Sequence, residues 1–188
     1  MVIGDTIKAE LITAVKEMAV EFGDFTLASG KKSKFYLDCR KLTLSSSGLY
    51  IVTQAMHIAA TGMGDFQAVG GPCVGADPIV GGLLQFYGSL RNHHPMRGFL
   101  VRKEAKTHGK GGLVIGSVLS EDHVVLVEDV ATSGESLLRA CEVVREELGV
   151  HIVGALVIVD RLAGAREAFE KWGIRFESLL TIEDLGLS

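Results

Sequence analysis

The sequence predicts an α/β fold: a mostly parallel central sheet flanked by helices, with a small N-terminal lobe beside it. Two unbroken aliphatic runs, V-V-L-V at 124–127 and V-G-A-L-V-I-V at 153–159, have the composition of strands covered on both faces. Each run leads into a helical pattern, the alternation that builds parallel sheets. Near the N-terminus two short apolar stretches instead flank the turn S-G-K-K-S, so that part reads as a hairpin.

In chain order, Asp5 or Thr6 caps a first helix, along which Ile7, Leu11, Ala14, Met18 and Phe22 recur at helical spacing until Gly23 ends it. Residues 25–27 and 35–38 supply the hairpin strands. The serines at 45–47 cap a helix through Leu49, Val52, Met56 and Ala59 to about Gly62, and Ala68 with Val69 makes a very short buried strand. That strand opens into G-G-P-C-V-G-A-D-P at 70–78, a loop whose glycines leave backbone N–H groups accessible, and then into a helix through Leu83 and Leu84. A strand at 98–102, a polar loop at 102–112 and a β-excursion at 113–119 lead to the run at 124–127. This run stops at two adjacent carboxylates, Glu128 and Asp129. The next helix carries Leu137, Cys141, Val144 and Leu148 on one stripe, with Arg139, Glu142, Arg145, Glu146 and Glu147 largely off it. The strand at 153–159 ends in Asp160-Arg161, and a helix at 163–172 and a strand at 174–180 follow.

A chain of 188 residues, 47% of them hydrophobic, has enough apolar surface for one domain spanning 1–188, with the N-terminal lobe, about 1–43, packed on the rest. The formal charge of -4 gives no general attraction to nucleic acid, so the basic cluster at 102–110 is local and suited to a small anion. Cys39, Cys73 and Cys141 are odd in number and contain no C-x-x-C pair, which argues against a disulfide framework or zinc site and fits a reducing cytoplasm. The N-terminus lacks the pattern of a signal peptide, and no run approaches a membrane span.

In such sheets ligands bind beyond the carboxyl ends of the strands, and here three strands end in chemistry: the glycine loop after Val69, Glu128-Asp129, and Asp160-Arg161. The small residues Ala131-Thr132-Ser133-Gly134 let a ligand approach the backbone where a helix begins, and such a turn holds phosphate through free N–H groups and the helix dipole. Neighbouring carboxylates accept hydrogen bonds from two adjacent sugar hydroxyls or sit beside a hard cation. Together these describe a ribose 5-phosphate site. The alternative is that Thr132 and Glu135 form an ordinary T-x-x-E capping box and that the acids are a solvated strand end.

The segment V-V-L-V-E-D-V-A-T-S-G-E-S at 124–136 resembles the phosphoribosyl-diphosphate signature of the type I phosphoribosyltransferases. Two more segments, F-T-L-A-S-G-K-K-S-K-F-Y-L-D-C-R at 25–40 and R-K-E-A-K-T-H-G-K-G-G at 102–112, narrow the resemblance to the orotate phosphoribosyltransferase family. It extends over nearly the whole chain, in the family's order.

The resemblance implies a type I fold with a small N-terminal hood, the substrates orotate and phosphoribosyl diphosphate, and the products orotidine 5-monophosphate and pyrophosphate in the synthesis of UMP. It assigns the phosphoribosyl diphosphate to Arg102, Lys103, Lys106, His108, Glu128, Asp129, Val130, Ala131, Thr132, Ser133, Gly134, Glu135 and Ser136, with Lys106 and Asp129 as catalytic residues. Orotate falls to Thr132 and Arg161, whose planar fork suits a carboxylated pyrimidine; a surface salt bridge of Arg161 with Asp160 or a nearby carboxylate is the alternative. Phe35 and Tyr36 either lie against the base or are core aromatics of the lobe. Mg2+ is implied as cofactor, carried mainly by substrate and water rather than by direct protein ligands. A homodimer is implied too, with the 102–112 loop as a lid reaching the neighbouring site. Lys110 is not carried over. Two positions depart from some family members, Ala28 and Gly75 standing where those members carry lysine, and Lys31, Lys32 and Lys34 are the nearby cations available to compensate. The rival readings are a purine phosphoribosyltransferase and a non-catalytic regulator that binds phosphoribosyl diphosphate. A regulator of transcription would need an added basic DNA-binding segment, for which the chain has no spare length.

Overall fold

The computed structural model describes residues 3–26, 30, 32–90, 95–104 and 112–187. The N-terminal lobe comprises helix α1 (Asp5–Met18), the antiparallel hairpin β1 (Val20–Thr26) and β2 (Lys32–Leu37), and a short helix α2 (Arg40–Thr43). The rest alternates: α3 (Ser46–Thr61), β3 (Ala68–Pro72), α4 (Asp77–Ser89), β4 (Arg97–Val101), β5 (Val114–Gly116), β6 (His123–Ala131), α5 (Glu135–Leu148), β7 (His151–Asp160), α6 (Ala165–Lys171) and β8 (Phe176–Thr181). Six strands form one sheet in the order β5-β4-β3-β6-β7-β8. Only the β4–β5 pair is antiparallel, so the mostly parallel sheet expected from the aliphatic runs is the one observed.

Side chains of a strand alternate between faces, and β6 uses both. Val125 and Val127 join a core packed under α1, α3 and α4 with Leu11, Val52, Met56 and Ile79. Val124 and Leu126 join a second core under α5 and α6 with Leu137, Val144 and Phe169. Both faces of the sheet are therefore buried, which is why the run shows no polar alternation. In β7 the pairing slips once: Val124 lies opposite Ile152 but Val125 opposite Gly154, leaving Val153 as an extra residue.

Three local expectations are corrected. The first helix ends at Met18 rather than at Gly23, and Gly4 rather than Asp5 or Thr6 occupies its cap, without a side-chain bond. Val20 pairs with Leu37 and Phe22 with Phe35, so hairpin hydrogen bonds take the stretch that helical spacing had claimed, and Phe22 is left 77% exposed. The central strand does not stop at the acids. It continues to Ala131, paired with Asp160, so Glu128 and Asp129 are strand residues. The serine cap is as expected, since the Ser45 hydroxyl accepts from the Gly48 N–H at 3.0 Å. Cys141 is buried in the second core as its stripe position predicts.

Candidate active site

Beyond the carboxyl ends of the strands lies a cavity of about 570 Å³. The lobe contributes Tyr36, Asp38, Cys39 and Arg40 to one wall; the loop after β3 contributes Cys73, Val74 and Gly75. Arg102 and Lys103, just past β4, face Glu128, Asp129 and Val130 of β6, and Ser136 of α5 completes the lining. The parallel register brings these sequence-distant ends together, as expected for an open α/β sheet.

The two acids are not a solvated strand end. Glu128 is buried; its Oε1 accepts from the Ser136 hydroxyl at 2.6 Å, while its Oε2 is buried without a hydrogen-bond partner. Burial pushes its pKa up to about 7, the Ser136 bond opposing the rise. Burial also raises the pKa of Asp129, opposed by the Val130 N–H, which donates to Oδ1 at 2.8 Å, and then by Arg40. A buried carboxylate without its full set of donors is costly, and a diol or a hydrated cation would supply what is missing.

The capping-box alternative is not formed. Gly134 occupies the cap of α5 in a left-handed conformation, φ +76°, with no side-chain hydrogen bond to the helix. The first-turn N–H groups thus lack a side-chain cap, and Thr132 and Ser133 are exposed beside them. Ala131 and Gly134 are buried, and Glu135 is exposed as the first residue of the helix. Gly75 sits so close to the acids that a Cβ there would fall 2.6 Å from Asp129 Oδ1. A larger residue is excluded unless Asp129 moves, which is why a lysine cannot simply be placed here.

Arg161 lies outside the cavity lining, following β7, with its guanidinium 6.0 Å from the centre of the Phe35 ring. The Arg161–Asp160 salt bridge is absent; Asp160 Oδ1 instead accepts from the Leu162 N–H at 2.8 Å. Phe35 packs against the main core, as the core-aromatic alternative has it, whereas Tyr36 lines the cavity and is 41% exposed. Lys106, His108 and Lys110 lie outside the described residues, as do Ala28 and Lys31. Of the compensating lysines, Lys32 donates to Thr26 and Lys34 pairs with Asp24, and neither lines the cavity.

The lobe's cation at the cavity is Arg40, which the sequence reading did not single out. Its Nε and Nη2 donate to the two Asp38 oxygens at 2.7 and 2.8 Å, and this holds the Asp38 carboxyl below the usual carboxylate range. The available signal was the D-C-R at 38–40 ending the hairpin motif, but no periodicity tells where a hairpin folds back. Among the described residues no group of three or more His, Cys, Asp or Glu side chains gathers as a metal site, and no helix is long and apolar enough to cross a membrane.

No model of a known protein family matches the chain. Among curated proteins, the orotate phosphoribosyltransferase of Rhodopirellula baltica is 43% identical over 185 residues, spanning 95% of this chain and 94% of that protein. The chain belongs to the orotate phosphoribosyltransferase family. Solved members of the family superpose on it closely. The Mycobacterium tuberculosis enzyme in complex with Fe(III) dicitrate gives a TM-score of 0.83 at 36% identity, covering 96% of this chain and 99% of that one. The same enzyme in complex with 5-phospho-alpha-D-ribosyl 1-diphosphate gives 0.79 at 33% identity, with the same coverage. The family's type I architecture is thus the fold described above, hood included.

Proposed function

We propose that the chain transfers the 5-phosphoribosyl group of phosphoribosyl diphosphate to orotate: the anomeric C–O bond breaks, a C–N bond to the base forms, and pyrophosphate leaves. The observation that carries this reading is the acid pair on β6, buried and short of donors, opening into a cavity flanked by Arg102 and Lys103. A pentose set on that wall offers two hydroxyls to Glu128 and Asp129. Its 5-phosphate reaches the loop 131–136, where the uncapped helix N-terminus and the Thr132 and Ser133 hydroxyls supply donors. Breaking the anomeric bond builds positive charge on the ribose ring, and carboxylates held in a dry wall stabilise it more than they would in water.

The negative charge develops on the diphosphate. Arg102 and Lys103 stand at the cavity for it, and Lys106 and His108 of the following segment complete the clamp, with Lys106 contributing most in the transition state. Thr132 and Arg161 hold orotate; the Phe35 ring beneath Arg161 keeps that guanidinium at the lobe. Orotate is already ionised, so no strong general base is required. Mg2+ is the cofactor in this reading, and the orphaned Glu128 Oε2 with Asp129 are oxygen acceptors suited to the waters it retains. When bound it screens the diphosphate charge. Two chains pair with the 102–112 loop as a lid that reaches the neighbouring site, so that Arg102 and Lys103 at its root stand at their own cavity while Lys106 and His108 complete the clamp of the neighbour's. The three free cysteines accord with a cytoplasmic setting.

The test is a spectroscopic orotate-consumption assay with and without Mg2+, run beside adenine, guanine and hypoxanthine. Orotate turnover that requires Mg2+ supports the reading; turnover of a purine alone overturns the substrate. Lys106→Ala separates an enzyme from a binding protein, since turnover falls far more than affinity for phosphoribosyl diphosphate if the clamp is catalytic.

A further inference from the structure

Arg139 stands on α5, off the apolar stripe and exposed, where an arginine ordinarily has only solvent to serve. Its guanidinium nonetheless reaches the chain just past β4. Nη2 donates to the Lys103 carbonyl at 2.7 Å and Nη1 to the Arg102 carbonyl at 3.3 Å. The same run of backbone is tied from the other side, where the Arg102 N–H donates to the Leu113 carbonyl and the Val101 carbonyl accepts from the Cys73 N–H, both at 2.9 Å. Past Val101 the ladder of β4 ends, and Arg139 takes the two carbonyls that strand pairing no longer serves.

We infer that Arg139 is a positioning residue for anion binding: it fixes the backbone that presents Arg102 and Lys103 to the cavity, tying both cations to α5, whose Ser136 lines the same cavity. The inference rests on reading this cavity as the phosphoribosyl-diphosphate site. A planar fork satisfies two neighbouring carbonyls at once, and an ammonium group cannot hold both in that geometry. Without the fork, the backbone at 102 and 103 samples more positions, and the two cations are no longer pre-set for a polyanion. The acids of β6 and the loop 131–136 keep their own hydrogen bonds, so the loss falls on the diphosphate alone.

The experiment compares the full-length wild-type chain with Arg139→Ala, Arg139→Lys and Arg145→Ala, the last removing another exposed arginine of the same helix. Calorimetric titration with phosphoribosyl diphosphate and with inorganic pyrophosphate, both with Mg2+, is set beside steady-state KM values and melting temperatures. Arg139→Ala weakens both diphosphate ligands about tenfold, the scale of one charge-assisted hydrogen bond, while the orotate KM stays within about twofold. Arg139→Lys falls between, Arg145→Ala behaves as wild type, and melting is unchanged. Undiminished diphosphate binding in Arg139→Ala overturns the inference. So does an equal loss for orotate with a lowered melting temperature, which marks a general structural role, or the same loss in Arg145→Ala. A wild-type chain that binds no phosphoribosyl diphosphate overturns instead the functional reading on which the inference stands.

Discussion

Where β6 begins, Asp122 is only 1% exposed, yet both its oxygens are engaged. Arg97 grips it with Nε at 2.7 Å from Oδ2 and with Nη2 on Oδ1, and the Leu119 N–H donates to Oδ2 at 2.8 Å. Its pKa is held below the ordinary carboxylate value, chiefly by the Arg97 hydrogen bonds. Six and seven residues along lie Glu128 and Asp129, toward the sheet's carboxyl end but with raised pKa values and, on Glu128, an oxygen without a partner. A satisfied acid therefore immediately precedes β6, and wanting acids lie near its other end. Burial alone does not distinguish these acids; the partners each has, and the cavity that only Glu128 and Asp129 line, do.

This contrast is open to measurement. Asp129→Asn is expected to lower turnover about 100-fold or more, the scale of removing a transition-state electrostatic contact, with the melting temperature little changed. A comparable loss of stability would erase the distinction between the two ends. Glu128 gives the next effect. Its folded-state pKa of about 7 lies above its ordinary 4.5, so the folded chain binds the extra proton. The stability it contributes is full below pH 4.5 and is lost as pH rises through about 7, on the order of 3 kcal/mol across that window. Chemical denaturation of wild type and Glu128→Gln from pH 4 to pH 9 should show the wild type declining more steeply over that interval, since Asp129, also raised, remains in both; parallel curves would refute it.

Asp122 must respond with the opposite sign, because its lowered pKa contributes stability that is present above the unfolded value and lost as pH falls through the folded one. Asp122→Ala is expected to lower the melting temperature by about 5 °C while both KM values hold. The smallest change is at Gly75, where a Cβ meets Asp129: Gly75→Ala should raise the KM for phosphoribosyl diphosphate about threefold to tenfold through displacement of that carboxylate. An unaltered KM would show that Asp129 has room to yield.

Much of this was readable from the chain alone because the decisive signals are local. Continuous aliphatic runs announce buried strands, and the acids adjoin the small-residue loop in sequence as they do in space. What escaped was decided by partners far along the chain. Phe22 fits a helical stripe as well as a hairpin strand, and only pairing with Phe35 settles it. Glu128 and Asp129 resemble a strand terminus until β7 is seen to pair beyond them. Arg40 and Tyr36 reach the cavity through the folding back of the lobe, for which residues 36–40 carry no periodic mark. The T-x-x-E at 132–135 had a ready local explanation, and the left-handed Gly134 set it aside.

Val153, the supernumerary residue of β7, has a bearing on how such a protein can vary. Below it, the His151 ring lies tilted against that of His123, centroids 4.6 Å apart; above it, Asp160 is aligned with Ala131. The irregularity lets the two halves of the strand keep separate alignments with β6. Drift in the lower seam, through insertion or altered pairing, can be absorbed there before it reaches the upper rim, so the scaffold is free to evolve at its base while the reactive edge stays in place.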